Sequence, residues 1–60
     1  MYVIQNIKNK MYFRLKIDKN TNHLVYNLSE AKKIKSKKEA NKILSSFNCK
    51  ENYEIIKIKN

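Results

Sequence analysis

The sequence contains no glycine, no proline and no tryptophan, and its 60 residues include one cysteine and five acidic residues. Without glycine, a phosphate-binding loop of the GxGxxG or Walker A type is excluded. The turns must rely on asparagine or aspartate for unusual backbone angles, which costs some stability at each turn. Because Cys49 is alone, it cannot form an intrachain disulfide, and with His23 it supplies too few ligands for a zinc site. No metal and no cofactor are therefore expected.

Long apolar runs are also missing from the sequence. Nothing approaches the roughly 18 consecutive apolar residues of a membrane span, and the N-terminal MYVIQNIKNK lacks the features of a signal peptide. An unpaired cysteine is typical of a reducing compartment. We therefore expect a single domain over residues 1–60, located in the cytoplasm and away from membranes. A chain of this length buries about 60% of the surface that its unfolded form exposes, so its stability should be modest.

Positive charge is what the sequence has in excess. The formal net charge is +9, and thirteen of the fourteen basic residues are lysine, with Arg14 the only arginine. Lysine is a strongly hydrated point charge, whereas arginine presents the planar fork that grips phosphate or guanine. The composition therefore favours electrostatic attraction over base-specific recognition. A second explanation stays open, because a genome of low G+C content enriches lysine, asparagine and isoleucine without any selection for binding.

The segment SKKEANKILSSF, residues 36–47, carries the clearest structural pattern. Ser36 and Glu39 have the spacing of a capping box, in which each side chain accepts a hydrogen bond from a backbone N–H of the first turn. Apolar residues then recur at i, i+3, i+4 and i+7, at Ala40, Ile43, Leu44 and Phe47. This pattern predicts an amphipathic helix over residues 37–47 with a basic outer side.

Four other segments are rich in β-branched and aromatic residues and predict strands. They span residues 2–7, 11–17, 23–26 and 53–58. Asn9 is the expected left-handed residue of the first connection, and residues 18–22 predict a polar turn. The order β-β-β-α-β predicts an α+β fold, in which a small antiparallel sheet carries the helix on one face and the last strand pairs with the first.

The second strand alternates between apolar and polar residues. Its apolar side predicts a core in which the helix lies across this strand and five residues are buried together: Phe13, Leu15, Ile43, Leu44 and Phe47. Its other side, with Tyr12, Arg14 and Lys16, should stay open to water. We expect a binding surface or a dimer contact on that open side.

Two further expectations concern the middle of the chain and the sheet edges. A single helical turn is predicted to begin near Ser29, with Leu28 and Ile34 anchoring it to the core. The sequence has no glycine or proline that would hinder another strand from pairing with the edges of the sheet. Edge pairing into a homodimer is therefore expected.

A basic cluster dominates the centre of the sequence. It consists of Lys32, Lys33, Lys35, Lys37, Lys38 and Lys42, offset only by Glu39. These side chains are candidate ligands for a protein partner or for phosphate groups. Because the capping box uses two N–H donors at the helix start, phosphate would be bound by the lysine side chains themselves. The alternative is a solvated helix face with no binding role.

Aromatic and reactive residues give weaker indications. Tyrosines on an open sheet face either stack bases or contact proteins, and by alternation Tyr12 should be exposed. Cys49 follows the helix and is expected to be a small buried or half-buried hydrophobic residue. Glu51 and Glu54 belong to a chain too small to enclose a substrate cleft. We expect no catalytic residues and no enzymatic activity.

The sequence resembles a class of very small phage and prophage proteins over nearly its whole length. The resemblance lies in an opening YVIQN and YFRLKI hairpin, a central LSEAKKIKSKKEANKIL and a closing YEIIKI strand. The central pattern L-x-x-A … S-x-x-E-A-x-x-x-L is matched by Leu28, Ala31, Ser36, Glu39, Ala40 and Leu44. That class includes anti-CRISPR proteins and other inhibitors of host defence. The resemblance thus implies a non-enzymatic inhibitor that acts in the host cytoplasm.

Two functional hypotheses follow. The resemblance implies an inhibitor that binds a host protein or nucleoprotein complex, and the charge favours a small nucleic-acid-binding accessory protein. They differ in salt dependence, because a phosphate binder loses affinity steeply as salt rises. A protein interface with an apolar centre keeps more of its affinity.

Overall fold

The computed structural model describes residues 1–18 and 21–59. Four strands form one antiparallel sheet: β1 (Tyr2–Asn6), β2 (Tyr12–Asp18), β3 (Thr21–Val25) and β4 (Tyr53–Lys57). The helix α1 spans Lys37–Leu44, and 3-10 turns lie at Leu28–Glu30 and Lys50–Asn52. The spatial order β3-β2-β1-β4 confirms the predicted α+β fold and the pairing of the last strand with the first. The centre of the predicted polar turn, residues 19–20, lies outside the described residues.

The connection from β1 to β2 is built by two asparagine side chains. The Asn6 Oδ1 accepts from the N–H groups of Lys8 and Asn9, and the Asn9 Oδ1 accepts from Met11 N–H. The left-handed residue is Lys10, with φ of 65°, so the expectation for Asn9 was wrong. The Asn9 side chain already accepts the hydrogen bond that forms its own turn, and the left-handed backbone conformation is adopted by the next residue, Lys10. A lysine therefore takes a conformation that glycine would adopt more easily.

A crossover segment, residues 31–34, enters the sheet between β1 and β2. The two strands pair at the hairpin end, where Gln5 lies opposite Tyr12. Beyond that point Tyr2 exchanges two backbone hydrogen bonds with Ile34, at 2.7 and 2.8 Å. Lys32 N–H donates to the Phe13 carbonyl oxygen at 3.0 Å. The segment thereby satisfies backbone groups that the splayed strands would otherwise leave unpaired.

One of the two predicted anchors of this segment is confirmed. Ile34 is completely buried, whereas Leu28 is 39% exposed. The single turn predicted near Ser29 is present as the 3-10 turn Leu28–Glu30. Leu28 therefore begins the turn at the surface, and of the two predicted anchors Ile34 is the one that lies in the core.

A bulge in β2 breaks the alternation predicted for this strand. Phe13 lies opposite Leu24 and Leu15 lies opposite His23, so Arg14 is the extra residue. A bulge reverses which side chains face each side of the sheet beyond it. As a result Leu15 is 47% exposed instead of buried, and Lys16 reaches the helix side. The predictions that Leu15 lies in the core and Lys16 on the open side were wrong.

Both faces of β1 are covered, because Val3 and Ile4 are neighbours on opposite faces and neither is exposed. The cluster on the helix side consists of Ile4, Phe13, Ile34, Ala40 and Phe47. A second, smaller cluster on the other side consists of Val3, Val25 and Ala31. The expectation of an open, solvated second face was therefore wrong, and Tyr12 is half-buried against this second cluster.

The helix begins as predicted and ends earlier than predicted. The Ser36 Oγ accepts from Glu39 N–H at 3.1 Å, which is one of the two bonds of a capping box. The helix ends at Leu44, and Phe47 is buried from the turn that follows. Helix α1 packs mainly on β1 and β4, so its predicted position across β2 was wrong. Its cap comes two residues after Ile34, which is paired with β1, and the helix must therefore start over β1.

We expect Ile34→Ala to lower the free energy of unfolding by about 2–5 kcal/mol, because a fully buried side chain would leave a cavity. Leu15→Ala is the control, and its effect should stay within about 0.5 kcal/mol because the side chain is half exposed. Urea unfolding followed by circular dichroism measures both. Equal losses in the two variants would contradict the placement of the crossover segment.

Candidate binding surface

An open groove of about 320 Å³ lies between β2, the crossover segment and the end of the helix. Its apolar floor is formed by Phe13, Ile43 and Phe47. Three cationic side chains border it: Arg14, Lys16 and Lys32. The groove thus combines a small apolar surface with positive charge from two separate parts of the chain.

The floor of this groove is held by a chain of aromatic contacts. The rings of Phe13 and Phe47 lie 5.0 Å apart at 53°, and those of Phe47 and Tyr53 lie 4.8 Å apart at 72°. Tilted and edge-on pairs of this kind are favourable because the ring edge is positive and the ring face is negative. Phe13 and Phe47 are both buried. The two rings are therefore held in place by packing, and of the three floor residues Ile43 is the one that is only half-buried.

Lys16 lies along the wall of the groove. Its ammonium nitrogen is 3.3 Å from the Ser46 carbonyl oxygen and 5.3 Å from the centroid of the Phe47 ring. This carbonyl lies just beyond the C-terminal end of α1, where partial negative charge accumulates. The cation also lies within the distance of a cation–π contact. Lys16 is thus positioned by the groove that it borders.

Arg14 borders the groove from the bulge of β2. Its Nη1 is 3.4 Å from the Glu30 Oε1, and Asn27 Nδ2 donates to the Glu30 Oε2 at 3.0 Å. Both partners of the ion pair are about half exposed, so the pair contributes little stability. Arg14 was predicted to be accessible, and the structure places it at the surface.

The six lysines of the central cluster fall into two groups. Lys33 donates from Nζ to the carbonyl oxygens of Leu28 and Ala31, at 2.6 and 3.0 Å, so it closes the 3-10 turn. The remaining members are exposed and are here called the basic surface: Lys32, Lys35, Lys37, Lys38 and Lys42. Lys38 and Lys42 are one helical turn apart, a like-charge spacing that slightly destabilises a helix.

Tyr12 and Cys49 are placed differently from expectation. Tyr2 and Tyr53 pack against the cluster on the helix side and Tyr12 against the smaller one, whereas Tyr26 is 77% exposed. The expected exposure of Tyr12 was therefore wrong. Cys49 is exposed instead of buried, and it lies in the exposed stretch that follows the buried Phe47.

Two further findings concern metals and membranes. Among residues 1–18 and 21–59, no group of three or more histidine, cysteine, aspartate or glutamate side chains could hold a metal ion. Over the same residues, no helix is both long enough and apolar enough to cross a membrane.

Comparison with protein-family models, curated proteins and solved structures finds no match for this chain. The groove and the basic surface are therefore the two features of the molecule that point to a function. The groove was missed by the sequence analysis, because it depends on the bulge at Arg14. Nothing in a strictly alternating strand indicates where an extra residue will be accommodated.

We expect Lys33→Met to lower the free energy of unfolding by about 1 kcal/mol, because the Leu28 and Ala31 carbonyl oxygens each lose the bond from the Lys33 ammonium group while the apolar stem is kept. For a domain of this size, that loss lowers the melting temperature by about 4–8 °C. Lys35→Met, at an exposed position without such bonds, is the control. A thermal melt in which both variants match the original protein would show that Lys33 has no structural role.

Proposed function

We propose that this protein is a non-enzymatic inhibitor of the phage type, which binds a host protein or nucleoprotein complex through its basic surface. The supporting observation is positive charge that the described residues do not neutralise by ion pairing with one another. Among the described residues, the ion pair present is Arg14–Glu30, and the basic surface takes no part in it. Against a formal net charge of +9, this leaves a large positive field around the helix.

A field of this kind fits an acidic partner. Long-range attraction raises the rate at which two oppositely charged surfaces meet, and it selects against basic partners. Proteins that handle nucleic acids offer acidic patches, and their bound nucleic acid offers phosphates. The inhibitor proposed here is drawn to either part of such a complex. The resemblance to small phage proteins supports the same proposal.

A nucleic-acid-binding accessory protein is the alternative, and the grouping of five exposed lysines favours it. Single-strand binders also use exposed aromatic rings on which bases stack. Here Tyr12 is half-buried and both phenylalanines are buried. Of the described aromatic side chains, Tyr26 is the most exposed, and it lies outside the basic surface. This arrangement favours the inhibitor over the accessory protein.

Salt dependence separates the two proposals. If the five lysines of the basic surface bind phosphates, the log–log slope of affinity against salt should be about −4.5 on duplex DNA and about −3.5 on single strands. A partner held by an apolar centre with a charged rim should give a shallower slope. Capture from a bacterial lysate, with and without nuclease, shows in addition whether nucleic acid bridges the contact.

The decisive variant reverses three charges of the basic surface: Lys35→Glu, Lys37→Glu and Lys38→Glu. We expect the fold to persist, because these side chains are exposed and acidic residues are favourable in the first turn of a helix. Binding to the captured partner should weaken by at least tenfold. In cells, the variant should no longer inhibit the host's interference with an incoming plasmid.

The matched control reverses three exposed lysines elsewhere, Lys8→Glu, Lys50→Glu and Lys59→Glu, and has the same net charge. It should bind more tightly than the first variant. Equal weakening in both variants would mean that only the total charge matters. Unchanged binding in the first variant would assign the lysines to solvation of the helix and would refute the proposed role of the basic surface.

We propose homodimer formation as a further property. Among the described residues, β3 and β4 are the outer strands of the sheet, and their outer edges pair with no other strand. Such edges offer unpaired backbone groups to a second copy. Light scattering over a dilution series should show a dimer that dissociates on dilution, and a monomer at every concentration would refute it.

A further inference from the structure

We infer that the groove between β2, the crossover segment and the end of α1 receives an acidic segment of a partner protein, with one large apolar side chain entering it. This inference rests on the proposed function and names the point at which the target would be recognised. It uses residues that lie outside most of the central lysine cluster. The two ideas can therefore fail separately.

The floor of the groove fits an apolar side chain. Phe13, Ile43 and Phe47 present carbon atoms, and the volume of about 320 Å³ is at the lower end of ligand pockets. Because the groove is open, the remainder of the bound segment would lie across its rim. An anchor side chain in an apolar pocket, surrounded by polar contacts, is the usual arrangement of a protein–protein hot spot.

The rim fits carboxylates on either side of that anchor. Lys16 comes from β2 and Lys32 from the crossover segment, so the two ammonium groups approach the groove from different elements. Arg14 adds a planar fork that suits a carboxylate. Its pairing with Glu30 is an internal example of that recognition. Because this pair is half exposed and weak, an incoming carboxylate can share or replace it.

A protein segment fits this groove better than a nucleic acid does. A base needs an accessible ring face for stacking. The rings of Phe13 and Phe47 lie against each other, and Phe47 is further covered by Tyr53 and Lys16. What remains accessible is apolar surface on Leu15 and Ile43, the apolar lining residues that are not buried. Such a surface binds a side chain such as phenylalanine or leucine through burial alone.

The test is a titration of the ¹⁵N-labelled protein, followed by amide chemical shifts. The probe is a capped Asp-Glu-Phe-Glu-Asp peptide, with Asp-Glu-Ser-Glu-Asp as a control of equal charge and a ten-nucleotide thymidine strand as the nucleic-acid control. We expect saturable shifts at Lys16, Lys32 and Phe47, with at least fivefold weaker binding of the serine peptide. Equal binding of the two peptides, or shifts confined to residues 35–38, would overturn the inference.

A charge-matched pair of variants checks the position of the site. Lys32→Glu places an acidic group on the rim, and Lys8→Glu makes the same change of charge in the β1–β2 connection. The rim variant should bind the phenylalanine peptide about tenfold more weakly than the control variant. If Lys32→Glu does not fold, Lys32→Gln replaces it and should weaken binding about threefold. Equal affinities of rim and control variants would overturn the inference.

The outcomes also separate this inference from the proposed function. If the triple variant of the basic surface loses its partner while Lys32→Glu keeps full affinity for that partner, the proposed function stands and the groove is not the contact. If the peptide binds in the groove but no inhibition is found, the groove stands and the proposed function falls. Tighter binding of the thymidine strand than of the peptide at the groove would overturn the protein ligand in favour of nucleic acid.

Discussion

The backbone pairing of Tyr2 with Ile34 is the constraint on which the rest of the structure depends. Two hydrogen bonds, at 2.7 and 2.8 Å, hold the crossover segment between β1 and β2. They place Ile34 in the core and start the helix two residues later, over β1. The same insertion brings Lys32 beside Phe13. A single pairing therefore determines the position of the helix, the shape of the core and one side of the groove.

This arrangement answers the problem of building a core from 60 residues. A single helix normally covers only one face of a sheet. Here the crossover segment also contributes Ile34 to one face and Ala31 to the other. Val3 and Ile4 are consequently buried on opposite faces of the same strand. Small domains bury a low fraction of their surface, so two small clusters that share a strand make efficient use of few apolar residues.

The charge of the protein is divided between structural and available groups. Lys33 closes a turn, Lys16 lies over an aromatic ring, and Arg14 pairs with Glu30. The basic surface around the helix makes no comparable use of its ammonium groups among the described residues. A codon bias alone would supply lysines without regard to position. The grouping of these exposed lysines around the start of the helix, with Lys32 also at the rim of the groove, is the feature that the proposed binding role explains.

Local patterns in the sequence determined the fold class, the helix start at Ser36 and the strand content, because capping and periodicity act over a few residues. They did not determine the bulge at Arg14, which reversed the sides taken by Leu15 and Lys16. Nor did they determine the insertion of the crossover segment, whose Ala31 packs on the face predicted to be open. Both features depend on partners distant in the chain. Only the tertiary structure decided which residues meet, since strand register and the path of a crossover are set by long-range backbone pairing.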